Sequence, residues 1–194
     1  MPKWNADLRW ERNIWSSTPV RIADSREEGL KRAASAIAEA TDRLDMEGCG
    51  FKVLIENAAG AEYSLGSSFE QVAELVDRLR PVLPVAACID TCHTHVAGYD
   101  IVTPDGYEFT MKYLENTIAL KNIPVWHCND AKAARASKLD RHQHIGQGSI
   151  GLEPFHRLLN DPRTAHAAFI AETPIDEPGD DQRNVDALKA LVRQ

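Results

Sequence analysis

No apolar run in the sequence approaches the ~18 residues that a membrane-crossing helix needs. That argues against the helical membrane-protein class. The opening residues, Met1-Pro2-Lys3-Trp4-Asn5-Ala6-Asp7, hold no apolar h-region, so no secretory signal peptide is expected. Cysteine is sparse. Cys49, Cys88, Cys92 and Cys128 show no C-x-x-C spacing, and free thiols in a reducing cytoplasm are expected in place of a disulfide framework. Positive charge is in short supply: 22 Lys and Arg stand against 29 Asp and Glu, a net charge of -7. That argues against binding nucleic acid through overall basicity. Low-complexity stretches are missing too. With 43% hydrophobic and 26% charged residues in 194, the chain should build one core and one domain.

What is present alternates. Residues 1–23 read as an irregular segment, with Trp4, Trp10 and Trp15 among charges and room for one short strand between Ile14 and Ile22. Asp24 and Glu27 then have capping-box spacing, and Leu30, Ala33, Ala34, Ile37, Ala40 and Leu44 recur at helical intervals. Phe51–Glu56 reads as a buried strand, followed by a helix from Ser68 to Leu79 that Pro81 closes. Pro84–Asp90 is a second strand, and a helix follows from about Tyr107 to Leu120. Ile123–Asp130 is a third strand, Glu153–Leu159 a short helix, Ala167–Glu172 a fourth strand and Asn184–Val192 a last helix. Apolar strands alternating with amphipathic helices predict an α/β fold with a parallel sheet and helical crossovers.

Each strand carries an acid or a histidine near its C-terminal end: Glu56, Asp90, His127 and Glu172. In (β/α) barrels that end carries the chemistry. The loop after the third strand holds Asp140, Arg141 and His142, then a Gly-x-Gly turn at Gly146 and Gly148. Alone, that loop fits a divalent cation or a charged surface loop equally well. With His93 just past the second strand, seven nitrogen and oxygen donors converge on one end of the sheet. Carboxylates that dense repel one another unless cations neutralise them, and seven donors are too many for a single ion. Beside them, Lys132, Arg135, Lys138 and Arg141 form a locally basic loop suited to phosphates or to water.

The motifs resemble the endonuclease IV family of apurinic/apyrimidinic endonucleases. Glu56-Asn57-Ala58-Ala59-Gly60 is similar to its E-N-T-A-G, and Asp90-Thr91-Cys92-His93 with Ala97-Gly98-Tyr99-Asp100 is similar to its D-T-C-H…A-G-Y-D. His127-Cys128-Asn129-Asp130-Ala131-Lys132 resembles H-x-N-D-[SA]-K. Asp140-Arg141-His142 with Ile145-Gly146-Gln147-Gly148 resembles D-R-H-x-x-I-G-x-G, and Glu172-Thr173-Pro174 resembles the closing E-T-P. The resemblance covers residues 24–194.

That resemblance implies a TIM barrel with a trinuclear zinc site that hydrolyses the phosphodiester 5′ to an abasic site in DNA. It implies that Glu56 bridges the first and second zinc ions and that Asp90, His127 and Glu172 complete the second. His93, Asp140 and His142 would hold the third. Glu56 and Glu172 would be the catalytic carboxylates, and Lys132, Arg135, Lys138 and Arg141 the DNA-binding cations. The family's first zinc also takes two histidines from upstream strands, whereas this sequence has no histidine before His93. Two zinc sites therefore have ligands here. The expected fold is a partial (β/α) barrel, the N-terminal strands missing and 24–194 forming the C-terminal portion. An open barrel edge predicts a homo-oligomer. Two other functions fit the same residues: a zinc-binding remnant with little or no activity, and a metal-dependent sugar isomerase or epimerase.

Overall fold

A computed structural model describes residues 25–42, 51–62 and 64–193. The expected irregular segment 1–23, its short strand and its three tryptophans lie outside these residues, as does Cys49.

The first helix, α1 (Arg26–Thr41), is capped by the Ser25 hydroxyl, which accepts from the Glu28 N–H at 3.3 Å. The cap thus falls one residue later than the sequence spacing predicts. Leu30, Ala33, Ala34 and Ile37 are its buried stripe. Strand β1 (Val53–Glu56) follows, then α2 (Phe69–Leu79), whose N-cap is Ser68 and whose buried face is Phe69, Val72, Leu75, Val76 and Leu79. Strand β2 (Val85–Asp90) runs without a break into α3 (Thr91–Ala97), a helix that no periodicity announces. The α4 helix (Pro104–Thr117) starts three residues before the expected Tyr107, because Thr103 caps it and Pro104 suits the first turn.

Strand β3 (Val125–His127) is shorter than expected. The chain leaves the sheet, and a two-residue strand β4 (Asp130–Ala131) pairs antiparallel with β5 (His142–Gln143). Then come α5 (Leu152–Leu159), β6 (Ala168–Ile170) and α6 (Asp180–Leu191).

Four strands form one parallel sheet in the order β1-β2-β3-β6. The expected alternation of parallel strands and helices is therefore present, and among the described residues the sheet is open at β1 and β6. Register assigns the faces. Ile55 stands opposite Ala87, and Ile89, Trp126 and Phe169 lie in one row across the next three strands. All five belong to or pack on the core under the helices. Because side chains alternate along a strand, the next residues face the other way. Asp90, His127 and Ile170 form one such row, and Glu56 stands opposite Cys88. The helices thus bury one face, while the polar strand ends gather at the other.

Ile89 on central β2 is fully buried. Ile89→Ala should cost about 2–5 kcal/mol of stability, read as a lower urea midpoint. Val82→Ala, at a side chain 66% exposed, should stay within about 0.5 kcal/mol.

Candidate metal centre

The sheet brings the seven sequence-predicted donors together in two clusters. Ligand atoms of Glu56, Asp90, His127 and Glu172 lie within 4.8 Å of one another, and so do those of His93, Asp140 and His142. His127 Nδ1 sits 3.0 Å from both Glu56 Oε1 and Glu172 Oε2. In the other cluster Asp140 stands between two imidazoles. Its Oδ2 is 3.3 Å from His93 Nε2, and its Oδ1 is 3.4 Å from His142 Nε2. Donors ~2.0–2.1 Å from a tetrahedral zinc stand roughly 3.4 Å apart, so these separations suit a shared cation.

The orientation of the imidazoles is the stronger sign. Nδ1 of His93 lies 2.8 Å from the Asn57 carbonyl, and Nδ1 of His142 lies 2.9 Å from the Glu172 carbonyl. A carbonyl only accepts, so each Nδ1 carries a proton, and Nε2 is the atom that can offer a lone pair to a cation once its own proton is lost. Both Nε2 atoms are buried without a hydrogen-bond partner among the described residues. Their approach to Asp140 is close enough for charge attraction but misaligned for a hydrogen bond. A backbone carbonyl holding one ring nitrogen so that the other is free is the usual support of a metal-binding histidine.

Protons can take the place of cations at such a site. Burial opposes charge on Glu56, yet hydrogen bonds from His127 and His93 hold its carboxyl at about 2. Burial also works against charge on His93, but Asp90, Asp140 and Glu56 push the imidazole up to about 11. His127 is raised as well: burial lowers it, while Cys88, Glu172 and Glu56 more than compensate. Burial drives the Asp90 carboxyl upward against the pull of His93 and His142. The close imidazole of His93, 3.3 Å away, keeps the Asp140 carboxyl low. The cluster thus carries strong demand for positive charge, and a divalent cation would displace protons from it.

Residues that sequence reasoning passed over hold these donors in place. Asn129 is fully buried; its amide donates to Asp90 Oδ2 at 2.5 Å, and its Oδ1 accepts from the Glu172 N–H at 2.8 Å. Asn57 Oδ1 accepts from the Asp90 N–H at 2.7 Å, and its amide donates to Thr94 Oγ1 at 3.2 Å. Their only signal in sequence is a polar residue at or just beyond an apolar strand end. His95, which matches no ligand position in the motifs, is buried, with Nε2 3.1 Å from Ser149 Oγ. Cys88, Cys92 and Cys128 are free and buried. Of the four cations in the basic loop, Arg135 pairs with Asp100 Oδ2 at 2.9 Å, and Arg141 donates to the Asp140 carbonyl at 2.6 Å. Lys132 and Lys138 are exposed.

A family model described as the xylose isomerase-like TIM barrel matches residues 11–193. The chain belongs to this family. Within it, the motif resemblance to endonuclease IV is borne out. The chain is 43% identical over 168 residues to the probable endonuclease 4 of Solibacter usitatus, covering 86% of this chain and 57% of that protein. It is 42% identical over 170 residues to the probable endonuclease 4 of Chloroflexus aggregans, covering 86% and 58%. The crystal structure of endonuclease IV from Thermus thermophilus superposes with a TM-score of 0.70 at 32% identity, over 84% of this chain and 57% of that one. The chain therefore spans rather more than half the length of these family members. The barrel fold explains why the donors gather: the C-terminal ends of parallel strands are the family's shared open face.

In chelator-treated protein the two perturbed groups set opposite limits. Glu56 is lowered from 4.5 to about 2, so its contribution is present above pH 4.5 and is lost as pH falls through about 2. His93 is raised from 6.5 to about 11, so its contribution is full below pH 6.5 and is lost as pH rises through about 11. Urea denaturation across pH should show Glu56→Gln flattening the acid arm and His93→Gln the alkaline arm. Parallel wild-type and variant curves would count against these couplings.

Proposed function

We propose that the chain is a zinc-dependent endonuclease of base excision repair that hydrolyses the phosphodiester 5′ to abasic sites in DNA. The observation that carries this reading is the pair of donor clusters at the strand ends of a chain 43% identical to a probable endonuclease 4. Glu56, Asp90, His127 and Glu172 would hold one zinc ion, and His93, Asp140 and His142 a second. Zinc bound there would supply a Lewis acid for the phosphodiester.

The chain's own side chains divide the remaining work. Glu56 and Glu172 are the catalytic carboxylates on this reading. Their side chains are 28% and 48% exposed, whereas Asp90 is fully buried, so these two acids of the cluster face a reacting phosphate. His127 keeps both carboxylates at 3.0 Å and fixes their direction. Lys132, Lys138 and Arg141 contact phosphates flanking the abasic site, and Arg135 does so from its ion pair with Asp100. No base needs to be read, since an abasic nucleotide leaves the stack at low cost. That suits a chain of net charge -7 whose cations are concentrated in one loop. Among the described residues no helix is long and apolar enough to cross a membrane. On this reading the protein works in the cytoplasm on DNA, and two copies pair through the edges of β1 and β6 that are open among the described residues.

One observation favours a second reading. The family resemblance assigns the first zinc two histidines from upstream strands, and this sequence has none before His93. The second reading is a zinc-binding remnant with little or no cleavage. Metal analysis with an abasic duplex assay separates the readings. Two zinc ions per chain with cleavage supports the endonuclease, and two without cleavage supports the remnant. Turnover of an aldose or ketose would move the assignment to an isomerase.

Glu172→Gln should abolish cleavage and empty its own cluster while zinc stays with His93, Asp140 and His142. Lys138→Ala with Arg141→Ala should lower the slope of log affinity against log salt by about 2, close to one unit for each phosphate no longer neutralised. An unchanged slope would remove the loop from the DNA interface. Light scattering at micromolar concentration should show a dimer, and a monomer would reject edge pairing.

A further inference from the structure

Among the described residues, Asp130 is the one fully buried carboxylate outside both donor clusters. No lysine, arginine or histidine of those residues pairs with it. Its hydrogen bonds come from backbone N–H groups alone. Oδ1 accepts from Ala131 at 2.8 Å and Ile150 at 2.9 Å, and Oδ2 accepts from Gly148 at 3.0 Å and Gly151 at 3.2 Å. A buried charge is costly unless it is fully hydrogen-bonded, and here four donors meet one carboxylate.

Three of those donors, Gly148, Ile150 and Gly151, belong to the far end of the loop that carries Asp140 and His142. Its near end is held as well. Ala131 stands opposite His142 in the β4–β5 pair, and the Lys132 N–H donates to the Arg141 carbonyl at 2.9 Å. The Ser149 N–H donates back to the Ala131 carbonyl at 2.8 Å. Residues 132–147 thus leave and return at one point, and Asp130 lies at that point. Gly148 allows the approach: a Cβ there would collide with the Ala131 carbonyl oxygen and with Asp130 Oδ1.

We propose that Asp130 is the positioning residue of the His93–Asp140–His142 cluster, clamping the backbone of residues 148–151 so that His142 and Asp140 face His93. This rests on the metal-centre reading and is independent of nuclease activity. An amide cannot replace the carboxylate, because its NH2 would confront backbone N–H groups that need an acceptor.

The test uses the full chain and two readouts. Hydrogen exchange of the metal-free protein should show the amides of Gly148, Ile150 and Gly151 protected in wild type. In Asp130→Asn they should be exposed, with β1–β2 amides unchanged. Zinc titration should show a loss of about 10–100-fold in affinity at one of two sites, the range for supporting groups around metal ligands. Adding His142→Ala to Asp130→Asn should cost that site little more, whereas adding Glu172→Gln should remove the other. Gly148→Ala, which displaces the loop and leaves the carboxylate intact, should reproduce the one-sided loss.

Wild-type zinc affinity at both sites in Asp130→Asn would overturn the proposal, as would unchanged protection of the three amides. So would loss of β1–β2 protection in both variants, which would make Asp130 a residue of the core. A wild-type chain that takes up no zinc would sink the metal-centre reading, and the exchange pattern would still decide the clamp. Neither readout involves DNA cleavage, so an inactive chain leaves both intact.

Discussion

Four carboxylates and three imidazoles share one end of a four-stranded sheet, and most of the surrounding structure serves that crowding. The parallel ladder sets it up. Asp90 and His127 are direct neighbours in register, and Glu56 reaches the same space from the adjoining strand. A charge pushed into low dielectric needs partners. Burial alone would drive Asp90 to hold its proton, whereas the histidines pull the other way. Cations relieve the conflict in a way protons cannot. A divalent ion supplies two charges to several donors at once, whereas each proton satisfies one or two atoms.

Around that centre, support comes from backbone and amides instead of further charge. Asn57 and Asn129 each span two elements of the site, one through the Asp90 N–H and the other through the Asp90 carboxylate and the Glu172 N–H. Neutral donors can orient a carboxylate without cancelling the charge it would offer a cation. A lysine or arginine in the same position would compete with the metal. Lysine and arginine side chains are kept to the periphery, where Arg135 meets Asp100 and the basic loop turns toward solvent.

The repeating frame was legible in the sequence because each strand is an apolar run that stops on a polar residue near its end. Four of the seven clustered side chains were legible for the same reason, and His93, Asp140 and His142 through their short motifs. Less was legible where one residue does two jobs. Asp90 reads as the end of a strand, and its capping role conceals α3, which begins at the next residue and has no apolar stripe of its own. The β4–β5 pair escapes notice because two residues cannot show a period of two. Nothing local in the sequence marks His95 as buried, yet the loop that returns at Ser149 covers it. Such tertiary closures leave no local pattern.

Asp90 shows how closely folding and chemistry are joined here. Its Oδ1 accepts from the His93 N–H at 2.8 Å, capping α3, and its Oδ2 takes the Asn129 amide. The cap aims the first turn of α3, and that turn carries His93 toward Asp140. One carboxylate therefore belongs to the first cluster as a donor and shapes the second through the helix it starts. An asparagine at this position could keep the cap, since its oxygen also accepts from a helix N–H. It could not keep the charge, and its amide would face the Asn129 donor. The two clusters are thus coupled through a helix N-terminus as well as through space, and neither can be altered at Asp90 alone.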